Sequence, residues 1–321
     1  MNPLEYLRGQ VAAHPAICPQ DLIKLCYQAA NGAEHLMSDA VKQYFDEEFV
    51  AVSPREGVLC EAISDRVCRV HLDAWKAKGL PAEWLYALFR LSEWEREDIN
   101  PWLNAVIELM PQAKEQINEY RCHPHPVHHS QAYRRAEAPS YRLVSVHMAR
   151  LIPVLERMGR VTAIDGRAGA GKSTLAADLA AVTGACVISM DDFFLPPQLR
   201  TPERLSTPGG NIHYERFIEE VLPHIHSDQP FTYRRFDCQT MAMGEQKQVG
   251  AGWRIVEGSY SHHPYFGNYA DLTVFCDVEP DEQMRRIRQR NPRMAERFKK
   301  EWIPMEEAYF SYYGIKKGLV I

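Results

Sequence analysis

Apolar residues along the first 120 positions recur at helical spacing. Leu22, Ile23, Cys26, Ala29 and Ala30 mark one helix, which Asn31-Gly32 stops. Ser38 is placed to cap a second helix carrying Val41, Tyr44, Phe45 and Phe49, and Pro54 closes it. Residues 66–72 fit either a strand or a helix. Pro81 opens a helix with Trp84, Leu85, Leu88 and Phe89 on one face, and Pro101 opens another running through Leu109. Residues 143–158 read as an amphipathic helix through Val144, Leu151, Val154, Leu155 and Met158. The pattern then changes. Val161, Ala163 and Ile164 form a short apolar run followed by an Ala-rich helix from Thr174. Further strands are predicted at 185–190, 253–257, 272–277 and 319–321, with a helix from Pro280. The chain thus divides into a mainly α-helical domain over 1–120, a His/Pro-rich linker over 121–142, and an α/β domain over 143–321. The last is expected to hold a parallel sheet flanked by helices.

The 321 residues are 45% hydrophobic and 25% charged, enough for a sizeable core. A net charge of −5 argues against a general nucleic-acid binder. No 18-residue apolar run and no apolar h-region occur, so no membrane partner is expected and the expected location is cytoplasmic. The cysteines form no C-x-x-C pair and suit reduced thiols.

The strongest chemical signal lies at 166–174, where Gly166, Gly171, Lys172 and Ser173 satisfy G-x-x-x-x-G-K-[ST]. Backbone amides of Gly166, Ala168, Gly169, Ala170, Gly171, Lys172, Ser173 and Thr174 would cradle phosphates. Lys172 would reach the β/γ-phosphates of ATP, and the Ser173 hydroxyl would ligate Mg²⁺. Asp191 and Asp192 end the second strand, where a carboxylate can receive a proton or hold a metal. Strand alternation lets one of them face the γ-phosphate. Glu257 ends the third strand. Arg285, Arg286, Arg288 and Arg290 crowd one helix, a grouping suited to planar oxyanions.

The segment from 121 to 130 holds Cys122, His123, His125, His128 and His129. These are metal ligands by type, at a spacing that matches no standard zinc module. A stiff linker or a cleft lining are the other readings. Tyr133-Arg134 and Tyr141-Arg142 read as anchors of the linker or as anion contacts.

Taken together, 166–174, Met190-Asp-Asp-Phe-Phe, Pro208-Gly-Gly-Asn-Ile-His-Tyr-Glu-Arg-Phe and Val256-Glu-Gly-Ser-Tyr resemble the uridine kinase group. This group is one branch of the phosphoribulokinase/uridine kinase/pantothenate kinase set of P-loop kinases. The resemblance covers residues 160–321. It implies a P-loop kinase domain, with Asp191 as base and Lys172 in phosphoryl transfer. It also implies Glu257 beside Ser173 at the metal, and Arg288 and Arg290 as lid arginines. The acceptor side would comprise Asp192, His213, Tyr214, Tyr233, Arg235 and Phe236. His213 stands at the position nearest to an aspartate that holds ribose hydroxyls in related kinases. The implied reaction moves the γ-phosphate of ATP to an alcohol of a nucleoside-like small molecule. The alternatives are a sugar, sugar phosphate or vitamin precursor as acceptor, or a regulatory nucleotide-binding switch. For the N-terminal domain, scaffold, homodimerisation, substrate recognition and regulation all remain open.

Overall fold

A computed structural model describes residues 1–33, 41–136, 140–237 and 240–321. Ser38 and Gln239 fall outside these ranges. The chain forms two compact units, Met1–Ile152 and Pro153–Ile321.

The first unit begins with α1 (Pro3–Ala13), α2 (Pro19–Asn31) and α3 (Val41–Ala51). Asn2 accepts from the Leu4 amide at 3.0 Å and caps α1. Asp21 accepts from the Cys18 amide at 3.1 Å in a capping box that starts α2. Gly32 ends α2 at φ 60°, and a Cβ there would stand 1.9 Å from the Trp94 ring. Strands β1 (Cys60–Ala62) and β2 (Val67–His71) follow, then α4 (Leu72–Ala77), α5 (Ala82–Arg90), α6 (Asn100–Leu109), α7 (Lys114–Cys122) and α8 (Gln131–Ala136). Strand β3 (Tyr141–Ser145) returns to the sheet, which is antiparallel in the order β1-β2-β3. Leu7, Leu22, Leu25, Cys26, Leu103, Val106 and Ile117 form the main core.

One expectation left open is settled here and one is corrected. Residues 66–72, which fitted either a strand or a helix, contain β2 (Val67–His71), so the mainly helical unit also holds a small sheet. All five β2 positions are buried, which erases the alternation that marks a strand. Residues 143–158 do not form one helix. They begin inside β3 and continue as the short turns α9 (Val146–Ala149) and α10 (Ile152–Leu155). Within the span 121–142, Gln20 donates to the His128 carbonyl at 2.6 Å, and Ser130 donates through its amide (2.7 Å) and its hydroxyl (2.8 Å) to Asp21, so residues 128–130 pack on α2.

The second unit contains β4 (Val161–Gly166), α11 (Lys172–Thr183), β5 (Cys186–Ser189), α12 (Pro202–Ser206) and α13 (Tyr214–Glu220). A hairpin of β6 (Phe231–Asp237) and β7 (Ala242–Val249) comes next, then β8 (Arg254–Glu257) and β9 (Leu272–Cys276). The chain continues through α14 (Pro280–Arg290), α15 (Ala295–Arg297) and α16 (Ile303–Tyr313) to β10 (Leu319–Val320). The main sheet is wholly parallel in the order β10-β9-β4-β8-β5. Its central strand β4 is buried at every position. Val161, Ala163, Ile188, Met190, Val256 and Phe275 build the core around it. Because β4 leads to a strand two places away, the chain reverses direction across the sheet beside β4. That places a crevice at its carboxyl end.

Candidate active site

The carboxyl ends of β4, β5 and β8 bring the sequence motifs to one edge. Gly166 closes β4 at φ 136°, and a Cβ there would meet the Cys276 carbonyl oxygen at 2.0 Å. Gly169 and Gly171 are also left-handed, with φ 74° and 93°. The loop opens directly into α11, whose first backbone bond runs from the Leu175 amide to the Gly171 carbonyl at 2.9 Å. The amides of Lys172, Ser173 and Thr174 precede that bond at the positive end of the helix, the arrangement that binds anions. Ser173 and Thr174 are exposed, and Gly169, Ala170 and Gly171 are partly so. Lys172 is buried and donates to the carbonyls of Gly166 (2.6 Å) and Arg167 (3.0 Å).

Glu257 lies opposite this helix start. It accepts from the Ser173 hydroxyl at 2.9 Å and from the Ser189 hydroxyl at 2.8 Å. The second bond follows from the register, which pairs Ser189 with Glu257 across β5 and β8. A serine oxygen beside a carboxylate at a helix N-terminus is a hard-oxygen donor set that fits Mg²⁺.

Asp191 and Asp192 share a 3₁₀ turn (Met190–Phe193) and occupy opposite environments. Asp191 is open to solvent in a cleft walled by protein. Loss of hydration and the negative charge of Glu257 raise its carboxyl above the ordinary range, while Lys172 and Arg290 pull it down. Asp192 is buried. Its oxygens are taken by the Tyr233 hydroxyl at 2.7 Å, Lys247 at 2.8 Å and Arg235 at 3.4 Å. It therefore fastens the β6–β7 hairpin to the sheet instead of reaching outward.

The acceptor-side residues do not assemble as expected. Tyr233 is buried and stacks on Phe193 with ring centres 5.1 Å apart, and Phe236 is equally buried, so neither faces an open pocket. His213 caps α13 by accepting from the Arg216 amide at 3.2 Å, and burial lowers its pKa. Tyr214 lies under the Arg204 guanidinium, 3.6 Å from its ring centre. Among the arginines of α14, Arg285 and Arg286 are paired with Glu282, leaving Arg288 and Arg290 exposed on the same helix. In the N-terminal segment, no group of three or more His, Cys, Asp or Glu among the described residues is arranged to hold a metal.

Two carboxylates that motif reading passed over tie the site together. Asp165 is fully buried and accepts from the amides of Gly166 (2.7 Å), Tyr260 (3.2 Å) and His262 (3.0 Å) and from the Tyr309 hydroxyl (3.0 Å). Those bonds hold Tyr260 at φ 75°, an uncommon backbone state for a tyrosine. An acid within an otherwise apolar strand was the available signal. Glu306 of α16 accepts from the Ala168 amide at 2.9 Å and the Ser259 hydroxyl at 2.6 Å. Burial raises its carboxyl. Gln283 of α14 donates to the Ala168 carbonyl at 3.0 Å. Neither residue carries a local sequence mark.

The sheet, glycine loop and helix start make this unit an α/β domain of the P-loop class. No family model matches the sequence, and no curated protein matches it. Among solved structures, one described as a "putative fructose transport system kinase" from Silicibacter sp. TM1040 is similar. It shares 22% identity over 54% of this chain and 97% of its own, with a TM-score of 0.45. A "possible uridine kinase" from Bacillus stearothermophilus shares 19% identity over 55% of this chain and 95% of its own, with a TM-score of 0.41. No helix among the described residues is long and apolar enough to cross a membrane.

Proposed function

We propose that this protein is an ATP-dependent kinase that moves the γ-phosphoryl group to an alcohol of a small molecule. The observation carrying this reading is Asp191: an exposed, upshifted carboxylate at a strand end, within the electrostatic reach of Lys172 and Arg290. A nucleotide switch has no need of such a group. The packing of Tyr233 and Phe236 and the engagement of Asp192 favour an acceptor without a nucleobase over a nucleoside.

Asp191 takes the proton as the acceptor oxygen bonds to the γ-phosphorus and the bond to the β-phosphate oxygen breaks, releasing ADP. Its raised pKa makes it a stronger base than an ordinary carboxylate. Lys172 leaves the carbonyls of Gly166 and Arg167 to pair with the phosphates. Amides 172–174 hold the triphosphate, and Arg288 and Arg290 stabilise the transferring group. Ser173 and Glu257 would hold Mg²⁺, which supplies charge neutralisation when bound.

The test is to incubate the purified chain with ATP and Mg²⁺ across sugars, sugar phosphates, pantothenate and nucleosides, and to look for new phosphate esters by mass spectrometry. A phosphorylated non-nucleoside alcohol that disappears with Asp191→Asn supports the reading. ATP binding with no ester from any acceptor supports the switch instead.

A further inference from the structure

The N-terminal unit contains a buried polar centre that the proposed reaction does not use. Arg69 lies in the central strand β2, and its side chain is 4% exposed. The register places Glu61 directly opposite it on β1, with Leu143 opposite on β3 and Tyr141 opposite His71. Directly opposed residues share a sheet face. One face therefore presents Glu61, Arg69, His71 and Tyr141. The guanidinium stacks over the Tyr141 ring at 4.5 Å. Its in-plane contacts are long, at 3.3 Å to Glu61 and 3.4 Å to Gln28 of α2. Charge-assisted hydrogen bonds ordinarily close to about 2.7–2.9 Å. The Arg69 Nε–H has no partner and is shielded from solvent, as are the Tyr6 hydroxyl and His71 Nδ1. Tyr6, Tyr133 and Tyr141 all lie within the electrostatic reach of Arg69. Burial pushes the Tyr6 and Tyr133 hydroxyls upward, so both remain protonated donors.

A buried arginine needs its charge and its donors answered. Here Nη1 is turned to Glu61 and Nη2 to Gln28, the Tyr133 hydroxyl also bonds the guanidinium, and the Nε–H is left over. A guanidinium N–H of this kind is a donor to carboxylate and phosphate oxygens. The Tyr6 hydroxyl adds a neutral donor, and stacking on Tyr141 fixes the plane. The surroundings are rigidly built. His129 bridges the Tyr141 hydroxyl (2.8 Å) and Asp21 (3.3 Å), and Tyr141 donates to Gln28 at 3.1 Å. This explains how the histidine-rich segment is used: His129 braces the platform under the arginine.

We infer that the N-terminal unit holds a binding site for a small oxyanion, carboxylate or phosphate, gripped by the Nε–H of Arg69 and the Tyr6 hydroxyl. The site uses none of the P-loop residues and does not depend on the kinase reading.

Thermal unfolding of the full chain, titrated separately with inorganic phosphate and with acetate, tests it. A saturable rise in Tm is expected with at least one of them, and which one identifies the source of the oxyanion. The rise should persist in Lys172→Ala, which removes phosphate binding at the loop, and vanish in Arg69→Met. Tyr6→Phe, which deletes only the hydroxyl, should weaken the apparent affinity about fivefold, as for one lost hydrogen bond. If Arg69→Met does not fold, Tyr6→Phe decides alone. An equal rise in wild type and Tyr6→Phe would mean general salt stabilisation and overturn the inference. So would a rise lost in Lys172→Ala, or none with either anion.

Discussion

The two sides of the C-terminal crevice are built by different means. On the side proposed to hold phosphates the working atoms are backbone amides, and their placement is set by glycine conformation and a helix start. Gly166, Gly169 and Gly171 each adopt φ values that other residues rarely reach. On the side proposed to take the acceptor the working atoms are side chains. Their availability depends on what distant strands bring to them: Asp192 is taken by Tyr233, Arg235 and Lys247 from the hairpin, while its neighbour Asp191 stays open. A site made of backbone can be read from a short motif. A site made of side chains is decided by packing.

The sharpest test of this contrast is to neutralise each aspartate separately. Asp191→Asn should reduce kcat by roughly 10²–10⁴ with stability retained. The acidic limb of the wild-type kcat profile should lie above the ordinary carboxylate range, in line with the raised carboxyl. Full turnover by Asp191→Asn would remove the base assignment. Lys172→Ala should cost on the order of 10²–10³ in kcat, measured under saturating ATP. Gly166→Ala should destabilise the fold by about 3 kcal/mol in denaturant titration, from backbone strain and the clash with the Cys276 carbonyl. Asp192→Asn should reverse the pattern of its neighbour. It weakens the ties to Lys247 and Arg235 and should cost about 2 kcal/mol of stability while sparing most turnover. A kcat loss matching that of Asp191→Asn would break the comparison.

The smallest effect concerns pH. Burial pushes His263 down from 6.5 to about 4, so the folded protein keeps it neutral where the unfolded chain protonates it. A histidine lowered in this way adds stability that is complete above pH 6.5 and lost as pH falls toward 4. The slope is at most about 1.4 kcal/mol per pH unit. Denaturation of His263→Gln across that window should show a flatter pH dependence than wild type. An unchanged slope would assign the acid sensitivity elsewhere.

The parallel sheet was legible because its strands are apolar runs bounded by glycine, proline or acid, in the order that a strand, loop and helix require. The antiparallel sheet of the N-terminal unit was not. β1 has three residues, β2 has no exposed position, and β3 runs straight into a helical turn, so neither period stands out. His129 read as a candidate ligand within a proline-stiffened stretch, and its partner Asp21 lies 108 residues away. Asp165 was visible as an acid in an apolar strand, but three of its four donors come from the loop after β8 and from α16. Tyr233 and Phe236 were assigned to a pocket by resemblance, and the hairpin turns both inward.

The peptide groups flanking Ala168 are held from two directions, the N–H by Glu306 and the C=O by Gln283. Gln283 belongs to the arginine-bearing helix α14 and Glu306 to α16. Neither peptide plane can tilt unless one of these helices yields. Any guest that reshapes the cradle therefore strains the last forty residues of the chain, and slow deuterium uptake at this amide would be the first property to change.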